Sequence, residues 1–208
     1  MDHFKGVRPS SCRDIPLLGN SQSSLGLCNS MCLYQLAVPS FQRSLRVLLS
    51  LLGKAEAHFC EEGRDAVEFT ALRLAPTMHA FPFQIEAAIN NALGATARLR
   101  GLPAPRVEGL VTLSDMRQAL AAAIAELETL KPHEFDGAET REIVLSSPKG
   151  ARHFEGLDYL LRLALPNVHF HTAIAYALLR KEGADIGKRD FLGDLPARRS
   201  PASNSVGV

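Results

Sequence analysis

The stretch LDYLLRLALPNVHFHTAIAYALLRKEGADIGKRDFLG, Leu157–Gly193, carries the reading of the fold. Its apolar residues recur at helical spacing as far as Glu182, and Gly183 supplies a stop. A proline, an asparagine and a histidine interrupt what would otherwise be a continuous core helix. At 100° per residue, Leu160, Ala164, Asn167, His171, Ile174 and Leu178 share one face. Arg162, His169, Tyr176 and Arg180 point elsewhere. Asn167 and His171, four apart, therefore stack one turn apart and are expected to look inward. Burying an amide and an imidazole costs ~1–3 kcal/mol each unless both find partners. Pro166 cannot donate to the carbonyl of Arg162 and is expected to bend the helix there. A bend beside two inward polar groups is a candidate binding pocket.

Working outward, three further helical patterns precede this one. The first spans about Ser40 to Glu61, with Phe41, Leu45, Leu48, Leu52, Ala55 and Phe59 at steps of three and four. Ser40 after Pro39 can cap it, and Gly63 can end it. The second spans about Thr77 to Arg100, with Phe81, Ile85, Ala88, Ala92, Ala95 and Leu99 as its stripe, and a short turn at Val67–Leu74 leads into it. The third spans about Ser114 to Leu130, with Ser114 as its expected N-cap and Met116, Leu120, Ala123, Ile124 and Leu127 along one side. Lys131-Pro132 closes it. Arg141–Leu145 and Ala151–Glu155 then read as two short strands around Ser146–Gly150. A lone two-stranded ribbon is marginal in water, so it must pack on the helices. The pattern predicts an all-α four-helix bundle with a long crossover connection and a small β-hairpin before the last helix.

Composition agrees with one globular domain. The chain has 208 residues, 46% of them apolar, and a formal charge of +1. Between Met31 and Gly193 there are 18 basic and 19 acidic side chains, a balance of −1 that argues against a nucleic-acid interface. No window approaches ~18 consecutive apolar residues, so a membrane span is not expected. The four cysteines, Cys12, Cys28, Cys32 and Cys60, lack zinc-site spacing and read as reduced thiols in a cytoplasmic protein. Residues 1–30 are polar, small and weakly basic. They are compatible with a mitochondrial transit peptide, and more simply with an extension before a domain that opens at Met31 and runs to Gly193. Residues 194–208 read as a disordered tail.

The second helix offers the facing polar groups. Gln84 and Asn91, seven apart, border its apolar stripe, and His79 lies near its start. Inward Asn, Gln and His can bond one another and merely fix helix register, or they can line a small-molecule or metal pocket. His58, His133 and His153 read as solvated. No phosphate loop, nucleophile elbow, H-E-x-x-H or dinucleotide turn is present.

The segments LYQLAVPSFQRSLRVLLSLLGKAEAH, RLAPTM, FDGAETREI and DYLLRLALPNVHFHTAIAYALLRKEGADIGKRDFLG resemble a family of uncharacterised function in the DinB/YfiT-like metalloenzyme superfamily, over about Met31–Gly193. The resemblance implies an up-down-down-up four-helix bundle and, in metal-binding members, three histidines: one on the second helix and an H-x-x-x-H pair on the fourth. His171 matches the second of that pair, because Leu178-Leu179-Arg180 and Gly183 follow it as in the family. Asn167 stands at the first of the pair, and Gln84 at or close to the second-helix position. Three imidazoles suit Zn²⁺ or Ni²⁺; one imidazole and two carboxamides do not, because amide oxygens are weak, hard donors.

The leading expectation is a helical-bundle protein with a degenerate metal or small-molecule site made by Gln84, Asn167 and His171. In an enzyme, His171 is the ligand or general base. The resemblance also implies a thiol-dependent S-transferase-like or other metal-dependent enzyme as an alternative. Two further alternatives are a non-catalytic homodimeric interaction module and, against the charge balance, a helix-turn-helix DNA-binding protein.

Overall fold

The computed structural model describes residues 22–65 and 67–194. The expected tail beyond Asp194 and most of the expected opening segment lie outside the described residues. The fold is largely helical with one small antiparallel hairpin. In chain order come α1 (Gln22–Glu61), α2 (Glu68–Ala71), α3 (Phe81–Leu99), α4 (Leu113–Thr129), a 3₁₀ turn (Pro132–Phe135), β1 (Glu142–Ser147), β2 (Gly150–Glu155), α5 (Gly156–Tyr159), a π turn (Leu160–Ala164), α6 (Leu165–Lys181) and α7 (Lys188–Leu192).

The long helices α1, α3, α4 and α6 share one core. The expected stripes of the first three are buried: Phe41, Leu45 and Phe59 on α1, Phe81, Ile85 and Leu99 on α3, Met116, Leu120 and Leu127 on α4. Two ion pairs, Arg46–Glu128 and Arg117–Glu56, run α1 and α4 antiparallel. Gln84 meets His171 and Arg98 meets Tyr159, so α3 and the last helical segment are antiparallel too.

Helix ends depart from the sequence reading for local reasons. The backbone of α1 begins at Gln22 and passes through Pro39, so Ser40 does not cap it; the Ser40 carbonyl accepts from Ser44 Oγ at 3.1 Å instead. Pro39 and Gln35 are both exposed, so the carbonyl that the proline leaves unpaired faces water. Helix α3 begins at Phe81, not Thr77, with Pro82 in its first turn, where the missing N–H is harmless. Helix α4 is capped by Thr112, not Ser114. The Thr112 hydroxyl accepts from Asp115 N and the Asp115 carboxylate accepts from Thr112 N, a closed capping box. Its backbone bonds hold the Asp115 carboxyl below the usual range.

The hairpin turns more tightly than expected. Glu142 pairs with Glu155 and Ser147 with Gly150, leaving only Pro148-Lys149 between the strands. Buried Ile143 and the Phe154–Tyr159 ring contact (centroids 6.1 Å apart) fasten it to the helices. Arg141 reaches back to the carbonyls of Leu99 and Asp136.

The largest correction concerns the last helix. The chain winds as a π turn over Leu160–Ala164, where Leu165 N–H reaches the carbonyl of Leu160 five residues back. This opens the helix just before Pro166. A π turn holds one residue more than an α turn, so everything beyond it is rotated by one position. The buried residues are Leu160 and Ala164 as expected, then Val168, Thr172, Ala175 and Leu179 in place of Asn167, His171, Ile174 and Leu178, although Leu178 is also buried. Asn167, His171 and Ile174 therefore lie at the border of the buried face, half exposed, rather than at its centre.

Candidate functional site

Four polar side chains are buried among the described residues: Ser44, Gln84, Thr96 and Thr172. The three hydroxyls bond a carbonyl of their own helix, Ser44 to Ser40, Thr96 to Ala92 and Leu93, and Thr172 to Val168. Each removes its own burial cost locally. Gln84, 3% exposed, bonds outside its helix at both ends of its amide. Nε2 donates to the carbonyl of His79 at 3.1 Å, and Oε1 lies 2.9 Å from His171 Nδ1.

Those two contacts decide a protonation state. A backbone carbonyl only accepts, so the end of Gln84 that meets His79 is the NH₂ and the end that meets His171 is the oxygen. That oxygen also only accepts. His171 Nδ1 must therefore carry the hydrogen and donate it. In the neutral ring Nε2 is then an unprotonated nitrogen with its lone pair free, and it has no hydrogen-bond partner among the described residues. Burial pushes the His171 pKa below its ordinary 6.5, and the charge of nearby His79 pushes the same way. The ring is therefore neutral at physiological pH, and Nε2 can accept a proton or ligate a cation.

Aromatic rings frame the imidazole. Phe83 and Phe170 meet it edge-on, with centroids 6.0 and 5.2 Å away. His79 stacks on the other partner, Phe83, at 3.8 Å and 19°. Phe83 and Phe170 are partly exposed, so the ring sits in an aromatic rim open to solvent.

The structure thus joins two of the three expected site residues, Gln84 and His171. Asn167, one turn back on α6, is half-buried and has no hydrogen-bond partner among the described residues. Sequence reading did not assign His79 its part, which its backbone carbonyl plays rather than its ring. His58, expected to be solvated, is instead half-buried against Gly183. Among the described residues, the imidazole nitrogens at the rim free to ligate are His171 Nε2 and those of the exposed His79 ring. Among the described residues no three His, Cys, Asp or Glu side chains gather at one point. A cavity of about 790 Å³ lies elsewhere, between α1 and α7. Arg43, Arg46 and Lys54 on its wall are engaged by Leu192 O, Glu128 and Asp190, and it shares no residue with this rim.

The chain is mostly helical, its last long helix is bonded to the second long one through His171, and by overall similarity it is a DinB-like protein. It is similar to a solved structure of a DinB family member protein from Shewanella denitrificans, with a TM-score of 0.78 and 31% identity over 84% of this chain and 99% of that one. The domain of unknown function DUF1993 matches residues 33–192, and the chain belongs to that family. A comparison with curated proteins finds no match.

Proposed function

We propose that this chain is a DinB-type four-helix bundle, up-down-down-up, that binds a small organic molecule at the α3–α6 seam. His171 Nε2 is its proton acceptor. The topology is supported by the antiparallel pairs α1/α4 and α3/α6, and by α1 and α6 running the same way, since Arg43 acts on His169 while His58 lies against Gly183. The function rests on one observation: Gln84, locked by the His79 carbonyl, fixes His171 as the Nδ1–H tautomer and leaves Nε2 basic beside an open aromatic rim.

The donor set does not fit a resident Zn²⁺ or Ni²⁺ ion. Two of the three imidazoles that such a site needs are carboxamides here, and Gln84 is already engaged at both ends. No step is therefore assigned to a metal. A positioned, neutral imidazole suits proton transfer in addition or elimination chemistry, including activation of a thiol.

Nitrogen-15 NMR of the histidine rings tests the reading. The expected result is an Nδ1–H tautomer for His171 that titrates below 6.5; an Nε2–H tautomer removes the proton acceptor. Metal analysis of the purified protein is expected to find well under one equivalent of Zn or Ni. Stoichiometric metal that disappears in His171→Ala overturns the degenerate-site reading.

A second reading, self-association, has its own observation. Leu157, Leu161 and Phe170 are 39, 48 and 53% exposed along the last helical segment. Gel filtration at micromolar concentration decides it, and a strict monomer removes it. No helix among the described residues is long and apolar enough to cross a membrane.

A further inference from the structure

Arg98 lies at the far end of the same seam, in the last turn of α3. Its Nη1 donates to Tyr159 Oη at 3.0 Å, and among the described residues that is its one hydrogen-bond partner. Among the other half-buried arginines, Arg64 has Glu68 and Glu182, Arg100 has Glu134 and Arg117 has Glu56, while Arg43 and Arg141 donate to backbone carbonyls. Arg98 has neither. A cation partly withdrawn from water without an anion is costly, and a ligand carboxylate would offset that cost.

The fold makes room for this guanidinium. Gly94 lies one helical turn before Arg98, and a Cβ built on it would come 2.8 Å from Arg98 Nη1 and 3.5 Å from Ala104. Glycine inside a helix is unfavourable by roughly 0.5–1 kcal/mol relative to alanine. Here its bare backbone lets the side chain fold back along α3. A charge serving only the helix dipole would extend into solvent from the last turn.

The space that Arg98 faces is a cavity of about 470 Å³ between α3 and the loop after it. That loop is laced down by side chains of α3. Asn90 exchanges two 2.7 Å bonds with the backbone of Val107, and Glu86 accepts from Leu110 N at 2.8 Å. The volume is that of an ordinary small-molecule site. Phe83 lines this cavity and also meets His171 edge-on, so it is a wall common to both. From Phe83 to Arg98 is about 22 Å along the helix, at 1.5 Å per residue.

We propose that Arg98 is the carboxylate-binding residue of this cavity, so that the ligand of the α3–α6 site is an elongated monocarboxylic acid. Its acid end is held by Arg98 and its apolar body lies toward Phe83. The proposal deepens the reading of His171 as proton acceptor, and rests on it for which end of the ligand reacts. A monoanion fits better than a phosphate dianion, because Glu86 and Glu108 also stand on the wall and one unpaired guanidinium is available.

Hexanoate is the probe, titrated into the full chain and followed through arginine Nε–H resonances and calorimetry. Saturable binding is expected, weakened about tenfold or more in Arg98→Gln, the loss of one charge-assisted pair. Gly94→Ala keeps the charge but displaces the guanidinium, and is expected to weaken hexanoate several-fold with the fold intact by circular dichroism. Hexanamide, isosteric but uncharged, is expected not to compete, and inorganic phosphate to compete poorly. No hexanoate binding, equal binding in Arg98→Gln, or hexanamide binding as well as hexanoate overturns the proposal. Phosphate displacing hexanoate at lower concentration overturns the monocarboxylate class. Hexanoate is shorter than the span from Arg98 to Phe83, so its binding reports the Arg98 end, and the His171 tautomer is read separately. Hexanoate binding with an Nε2–H tautomer at His171 therefore defeats only the proton-acceptor reading, and the Nδ1–H tautomer without hexanoate binding defeats only this one.

Discussion

His171 donates its Nδ1–H to Gln84 Oε1 across 2.9 Å, and this is the polar bond by which the border of α6 is tied to a buried side chain of α3. It orients the ring and selects its tautomer together. Gln84→Leu keeps the volume of the side chain but leaves the His171 N–H and the His79 carbonyl without partners. The cost expected is about 1–3 kcal/mol in urea unfolding. A neutral or stabilising outcome would mean that both groups are already well hydrated.

Gln84→Glu should reverse the direction of the His171 shift. A carboxylate 2.9 Å from the ring favours imidazolium, so the pKa is expected to rise above 6.5 instead of lying below it. Proton NMR titration of the C2–H resonance reads this directly.

Acid should weaken the fold over a defined range. Burial, and then the charge of His79, hold His171 below 6.5, and burial, and then Arg43, hold His169 below 6.5. Between the folded pKa and 6.5 the unfolded chain binds more protons than the folded one. This contribution to stability is therefore complete above 6.5, declines as pH falls through 6.5, and stops changing below the folded pKa values. His171→Gln should flatten part of that slope, and His169→Gln the remainder; an unchanged slope in both variants would contradict the two shifts.

Asn167 has no hydrogen-bond partner among the described residues. Asn167→Leu is accordingly expected to change unfolding free energy by no more than about 1 kcal/mol in either direction. A loss of several kcal/mol would reveal a linked polar network through this amide.

The start of α4 allows a paired comparison. Thr112→Ala removes the hydroxyl that accepts from Asp115 N and should cost about 1 kcal/mol. Ser114→Ala removes only an exposed partner of Gln118 and should be near neutral. Thermal melts of both variants separate the true cap from its neighbour.

Periodicity made the cores of α1, α3 and α4 legible, because Phe41 to Phe59, Phe81 to Leu99 and Met116 to Leu127 each follow an undisturbed 3.6-residue winding. Starts were harder. Thr112 and Ser114 are both good caps by type, and only the reach of Asp115 decides between them. Pro39 looked like a boundary, but it faces solvent and its helix runs on. The site was half legible. Gln84 read as bordering an apolar stripe and His171 as lying within one, and the structure bonds the two, but the role of His79 is played by a backbone carbonyl, which no side-chain pattern encodes. The phase beyond Pro166 was missed because a widened turn leaves no periodic trace. Arg98 did leave a faint sign: a glycine four residues earlier on the same helix face, where alanine would have served the helix better.

The π turn at Leu160–Ala164 has a genetic consequence. It stores one residue: deleting a residue from it would let the turn close to an ordinary α turn and leave the imidazole facing its glutamine, whereas a deletion between Pro166 and His171 would turn the imidazole by about 100°. Two homologues with identical residues from Pro166 onward would then present the same chemistry at this spot while differing in length by a single codon upstream.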